Sequence, residues 1–281
     1  MALPFIPSDA VMLAVQAGVV AVPRRAPEPA VLRRLSGPAW AIIPIASIVG
    51  VVFAIRYVSA TATGITYLAL VAVPLLAAAA LGWAMRGARP WLMPIAAGLF
   101  AVAWASRSTL WGQGAATLLS ALSCVTLGVL LASVTPPRWL KLGIVAMAVA
   151  DSWLVLTDLL QAPNATLVAA SPGRGLPQLQ SELFGSVSMG YGDLFVAGLL
   201  GAVLVREGRS RGWSALLTFV LAGLFDLLFF VLNELPATVP VALAMIVIEL
   251  WRLWERRRAG DGVSAGRRRS RPAAATPPPT T

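Results

Sequence analysis

Three aspartates stand inside long apolar runs of this chain: Asp151, Asp193 and Asp226. An aspartate at a bilayer centre costs ~2.5–3.5 kcal/mol on insertion scales, so each is a functional candidate. Asp193 closes the stretch Met189-Gly190-Tyr191-Gly192-Asp193. Glycines beside an acid remove bulk and let a neighbouring helix bring its own acid within reach. Asp151, in Ala150-Asp151-Ser152-Trp153, lies at a similar depth of the preceding apolar run. Two carboxyls that share a site hold one proton between them. The ionised member then activates a water while the protonated member polarises a carbonyl, which is aspartyl peptide hydrolysis. That chemistry suits a chain with no histidine and a single cysteine, Cys124. It needs no cofactor and no metal, and neither is expected. A third feature is Leu235-Pro236-Ala237-Thr238-Val239-Pro240. Its prolines remove backbone donors at the start of a helix and open the first turn.

The elements that must hold these residues follow from composition. Of 281 residues, 58% are hydrophobic and 12% charged, and the mean hydropathy is +0.79. Soluble domains carry roughly 25% charged residues, so the solvent of this chain is mostly lipid. Runs of ~20 apolar residues predict nine spans. These are Pro4–Val22, Pro38–Val58, Ala62–Ala84, Pro90–Ser106, Ala115–Val134, Leu140–Gln161, Glu182–Val205, Gly212–Asn233 and Leu235–Leu253. The expected fold is an all-α polytopic membrane domain over residues 1–255. Spans one to five fill 1–135, and spans six to nine fill 140–253. Asp151 and Asp193 then lie near mid-span on consecutive antiparallel helices, and Asp226 lies in span eight. Residues 162–181 read as an irregular loop, rich in Pro and Gly. Residues 256–281 read as a disordered, basic and Pro-rich cytoplasmic tail. Span one lacks a basic flank in front of it and does not read as a cleaved signal peptide.

The net charge of +10 is distributed as in a membrane protein rather than a nucleic-acid binder. No basic face with interleaved aromatics is legible. Instead, nineteen basic residues fall in gaps on one side of the predicted spans and three, Arg56, Arg107 and Arg174, on the other. Basic residues mark the cytoplasmic side. This places the N-terminus outside and the C-terminus inside a cell membrane.

In order and position these features resemble the intramembrane aspartyl proteases of the presenilin and signal peptide peptidase family. That family has nine spans, an aspartate in span six, Gly-x-Gly-Asp in span seven and Pro-Ala-Leu at the opening of span nine. Gly190-Tyr191-Gly192-Asp193 matches the second motif, Asp151 stands where the span-six aspartate is expected, and Pro236-Ala237 matches the start of the third. The resemblance implies a catalytic pair of Asp151 and Asp193. It implies glycines at 190 and 192 that permit close approach, and a substrate strand shaped by Pro236 and Ala237. It implies transmembrane peptides or signal peptide remnants as substrates, within membrane lipid. The orientation is that of signal peptide peptidase, which implies substrates whose N-terminus is cytoplasmic. The chain departs from the family pattern at Ala150, where a tyrosine is usual, and at Thr238, where the leucine is. The same acids also fit a proton-coupled transporter or channel with Asp151, Asp193 and Asp226 as a relay, or an inactive relative that only binds membrane segments. No inverted repeat of the transporter kind is detected. Asp226, in Phe225-Asp226-Leu227-Leu228, has no small-residue stretch to admit a partner acid and is expected to stand outside the chemistry.

Overall fold

The computed structural model describes residues 3–25, 37–42, 60–157, 161–170, 172–230 and 235–269, with isolated positions 46, 50, 54 and 159. Most of the predicted second span, and Asp158, lie outside the described residues. The described chain is mostly helical. Its α-helices are α1 (Phe5–Ala21), α2 (Ala60–Ala79, continued by a π turn Ala80–Ala84), α3 (Pro94–Ala105), α4 (Leu110–Val134), α5 (Pro137–Leu156), α6 (Gln161–Ala169), α7 (Tyr191–Arg206), α8 (Arg211–Phe225) and α9 (Thr238–Arg269). Among the described residues, four stretches are long and apolar enough to cross a membrane: Thr61–Ala84, Leu110–Val134, Pro137–Leu156 and Arg211–Leu228. The shorter apolar helices Phe5–Ala21 and Pro90–Ala105 accompany them. Their outward faces are apolar, as at Leu68, Val71 and Leu75 of α2, which is how a helix meets lipid rather than water.

All the candidate residues belong to one compact unit, residues 1–244; residues 245–281 form a second. In the first, α4 and α7 form the centre. Helix α4 begins where the Thr109 hydroxyl accepts the Gly112 N–H and stops at Val134, before Thr135-Pro136-Pro137. A residue ahead of proline resists the helical conformation. The pair of prolines then opens α5, with Pro137 at the first position, where its missing donor costs nothing. Helix α4 packs on α2, α3 and α7, and α1 packs on α7 and α8. Between Leu194 and Leu204 almost every side chain of α7 is buried.

Two segments differ from the expectation. Residues 182–190 are not the start of a membrane helix. They form an antiparallel hairpin, β1 (Ser181–Phe184) and β2 (Val187–Gly190), with Ser181 opposite Gly190 and Phe184 opposite Val187. The cause is local. A two-residue Gly185-Ser186 link between two short runs is a hairpin signal, and Gly185 has φ of 63°, where a side chain is strained. The Gly185 N–H donates to Gln113 Oε1 of α4 at 2.9 Å, and the Ser186 N–H donates to Ser8 Oγ of α1 at 3.4 Å, so two helices hold the turn. The helix that follows starts at Tyr191. The stretch 162–181 is likewise not wholly irregular, since α6 and a 3-10 turn at Gly173–Gly175 lie within it.

In the second unit, α9 runs on to Arg269, through the first part of the predicted tail. Arginine and alanine favour helix, and arginines near a C-terminus offset the helix dipole. Residues 270–281 lie outside the described residues.

The tightest helix contact is backbone on backbone. A Cβ placed on Gly128 of α4 would come within 2.5 Å of the Gly198 carbonyl of α7. One on Gly198 would come within 2.5 Å of the Cys124 carbonyl oxygen. Neither neighbour is a flexible side-chain end, so the helices must part to admit any larger residue. We expect Gly198→Val to destabilise the protein by about 1–3 kcal/mol, the usual cost of overpacking. Thermal unfolding in detergent measures it, with the exposed Gly212→Ala as the control that changes little.

Candidate functional site

Asp151 is the fifteenth of the twenty residues of α5. Asp193 is the third residue of α7. The sequence reading placed both at mid-span; with the hairpin in place of the first half of span seven, both sit toward the ends of their helices. Helices α5 and α7 pack together, and a tie between the start of α5 and the end of α7 leaves both aspartates toward the opposite end of the pair. The other end of the helix pair is fixed by Lys141, whose Nζ donates to Glu207 Oε1 at 2.5 Å. At 1.5 Å per residue, Asp151 lies ~15 Å along α5 from that tie and Asp193 ~20 Å along α7. Asp151 lies near enough for its charge to be felt at Asp193.

The Gly-Tyr-Gly-Asp segment is the junction of strand and helix. Gly190 ends β2 and caps α7, and its N–H donates to Asp193 Oδ2 at 3.1 Å. A carboxylate in the first helical turn also meets the positive end of the helix dipole. A Cβ on Gly190 would lie 3.1 Å from that same oxygen, tighter than ordinary contact. Tyr191 points into the protein. Its hydroxyl lies 2.6 Å from Ser123 Oγ of α4. The Ser123 hydroxyl is itself donated to the Ser120 carbonyl at 2.7 Å, so Tyr191 is the donor to Ser123. Cys124 Sγ lies 3.8 Å from the Tyr191 carbonyl. Gly192 follows as the second residue of α7.

The Pro-Ala segment reaches the same place. Pro236 and Ala237 precede α9, with the Val239 N–H on the Pro236 carbonyl at 3.1 Å. Thr238 opens α9, and its Oγ1 donates to Asp151 Oδ2 at 2.6 Å. The structure thus gathers Asp151, Asp193, Gly190, Tyr191 and Gly192 around the α5–α7 contact, and Thr238 brings Pro236 and Ala237 to it.

Three further residues were not singled out from sequence. Thr238 stood only as a departure from a motif, yet it holds an aspartate. Gln16 of α1 is a polar residue within an apolar run, yet it is buried and its Nε2 donates to the Ala237 carbonyl at 3.1 Å. Glu182 of β1 is 1% exposed, and neither of its oxygens accepts a hydrogen bond. The Ser120 hydroxyl stands beside it, and Tyr191 and Asp193 lie near enough to feel its charge when it ionises. Burial pushes the Glu182 carboxyl up to about 8, so this hairpin acid holds its proton at neutral pH. The signal in the sequence was a lone acid in a strand facing inward opposite Met189. It was hidden because the strand was read as helix.

Asp226 stands apart from this cluster. It follows α8 as the first residue of a 3-10 turn, Asp226–Phe230. Contrary to expectation it does have a neighbouring acid, Asp9 of α1, whose charge bears on it, while its own Oδ2 is buried with no hydrogen-bond partner. Helices α1 and α8 pack directly. Among the described residues no group of three or more His, Cys, Asp or Glu side chains is gathered as a metal site.

No protein-family model, curated protein or solved structure matches this chain.

Because the Asp9–Asp226 pair is separate from Asp151 and Asp193, Asp226→Asn should fold and leave cleavage of a labelled transmembrane peptide unchanged. Loss of all turnover in the folded variant would instead tie Asp226 to the chemistry.

Proposed function

We propose that this chain is an intramembrane aspartyl endopeptidase, similar to presenilin and signal peptide peptidase, that hydrolyses peptide bonds within transmembrane segments or signal peptide remnants. The observation that supports the reading is that Asp151 and Asp193 lie toward the same end of two packed helices, beside a Gly-Tyr-Gly-Asp junction and a Pro-Ala turn. In this reading the ionised member of the pair takes a proton from a water as it attacks the scissile carbonyl. The protonated member gives its proton to the carbonyl oxygen, and collapse of the adduct returns a proton to the leaving amine. The pair then regains its single shared proton, ready for the next bond. Gly190 lets the carboxyl of Asp193 approach without a side chain between. The first and second halves of the predicted nine spans, the cell-membrane location and the cytoplasmic C-terminus belong to this proposal.

A second reading draws on one observation. The Asp9–Asp226 pair between α1 and α8 is the kind of intramembrane carboxyl pair found in proton relays, which favours a proton-coupled transporter. The two readings separate on the dyad.

Reconstituted with a labelled transmembrane peptide, Asp151→Ala and Asp193→Ala should each lose cleavage by at least ~10²–10⁴-fold, the scale of a lost general acid or base. Retained cleavage in either variant overturns the protease reading. The topology has its own test. A reporter active only in the cytoplasm should be active when fused at Thr281 and silent at Ala2; the reverse pattern inverts the orientation and the substrate class with it.

A further inference from the structure

Asp151 does for α9 what a capping residue does for its own helix. The first turn of α9 is poor in donors, because Pro240 has no N–H and the Val239 N–H is taken by the Pro236 carbonyl. The position before the helix is Ala237, whose side chain can accept nothing. The Thr238 hydroxyl remains, and it goes to Asp151 Oδ2. A carboxylate that takes a short hydrogen bond at the start of a helix is held there by the donor and by the helix dipole together.

Thr238 is in turn held. It is 1% exposed, and so is Gln16. A buried amide costs free energy unless it is hydrogen-bonded, and the Gln16 amide is placed on the Ala237 carbonyl, one residue before Thr238. Helix α1 also packs on α7, which carries Asp193. The same helix therefore supports both sides of the pair, one by packing and one by a hydrogen bond.

We propose that Thr238 and Gln16 are positioning residues for Asp151: Gln16 fixes the Pro236–Ala237 turn against α1, and Thr238 at the end of that turn sets the orientation of the Asp151 carboxyl toward Asp193. This rests on the protease reading. It gives α1 a part in the site that none of the motif residues has, and it gives the threonine at 238 a task that leucine has no donor to perform.

The test uses the full chain reconstituted in lipid with a labelled transmembrane peptide. Thr238→Val is nearly isosteric and removes only the donor. It should lower kcat by about 10–100-fold with little change in KM, since misplacing a catalytic group by about 1 Å costs up to that much. Thr238→Ser keeps the donor and should recover most of kcat. Gln16→Met should lower kcat less than Thr238→Val does. A second readout is independent of turnover. The infrared difference between wild type and Asp151→Asn isolates the Asp151 carboxyl band, which should shift in Thr238→Val and stay in place in Thr238→Ser. Full kcat in Thr238→Val, or equal losses in the valine and serine variants, overturns the positioning role while an inactive Asp193→Ala keeps the protease reading. Cleavage that survives Asp193→Ala fells the protease reading, and the infrared band then decides alone whether Thr238 holds Asp151.

Discussion

Backbone contact between α4 and α7 sets the level of everything near the two aspartates. Where Gly128 meets Gly198 the helices touch without side chains between them, and close-packed backbones leave no slack for sliding. From that contact Asp193 is five residues back along α7, and Ser123 and Cys124 are five and four residues back along α4. The Tyr191–Ser123 hydrogen bond and the Cys124 contact with the Tyr191 carbonyl are the outcome. A third glycine extends the principle to α1: a Cβ on Gly201 would come within 2.5 Å of the Val20 carbonyl oxygen. The small residues of α7 thus fix two neighbours at once, and one of those neighbours carries Gln16.

The polar groups around the aspartates obey a second constraint. In an apolar surround every buried donor and acceptor must find a partner within the protein. The Gly190 N–H, the Thr238 hydroxyl and the Gln16 amide each find one, and two of the three acceptors are placed by helix starts. Helix N-termini supply oriented N–H groups and partial positive charge, so α7 and α9 begin where carboxylates stand. Glu182 breaks the pattern by having neither oxygen paired within hydrogen-bond geometry, and its burial favours the neutral form.

Much of this was legible in the sequence, for identifiable reasons. Uninterrupted apolar length marks α2 and α4, and long apolar runs broken by a few polar residues mark α1 and α5. The motif residues are legible because glycine, proline and aspartate are rare choices inside apolar runs. The hairpin was not, because Leu183, Phe184, Val187 and Met189 supply the same apolar content to a strand as to a helix, and period alone cannot separate them over so short a run. Only Gly185-Ser186 distinguishes the two. Thr238 and Gln16 were illegible for a different reason. Their partners lie 87 and 221 residues away in the chain, and no local pattern encodes a contact at that distance. Asp9 and Asp226 were separated in the same way, and their pairing follows only from the packing of α1 on α8.

The hairpin turn has a consequence for how deep water must travel. Asp193 is three residues from the start of its helix and Asp151 five residues from the end of α5, so both stand within about 8 Å of a helix end. Hydrolysis consumes one water for every bond cut. In the proposed reading, a reaction centre at this level would take that water from the near helix ends rather than along the length of α5 and α7, and would leave two fragments of unequal length.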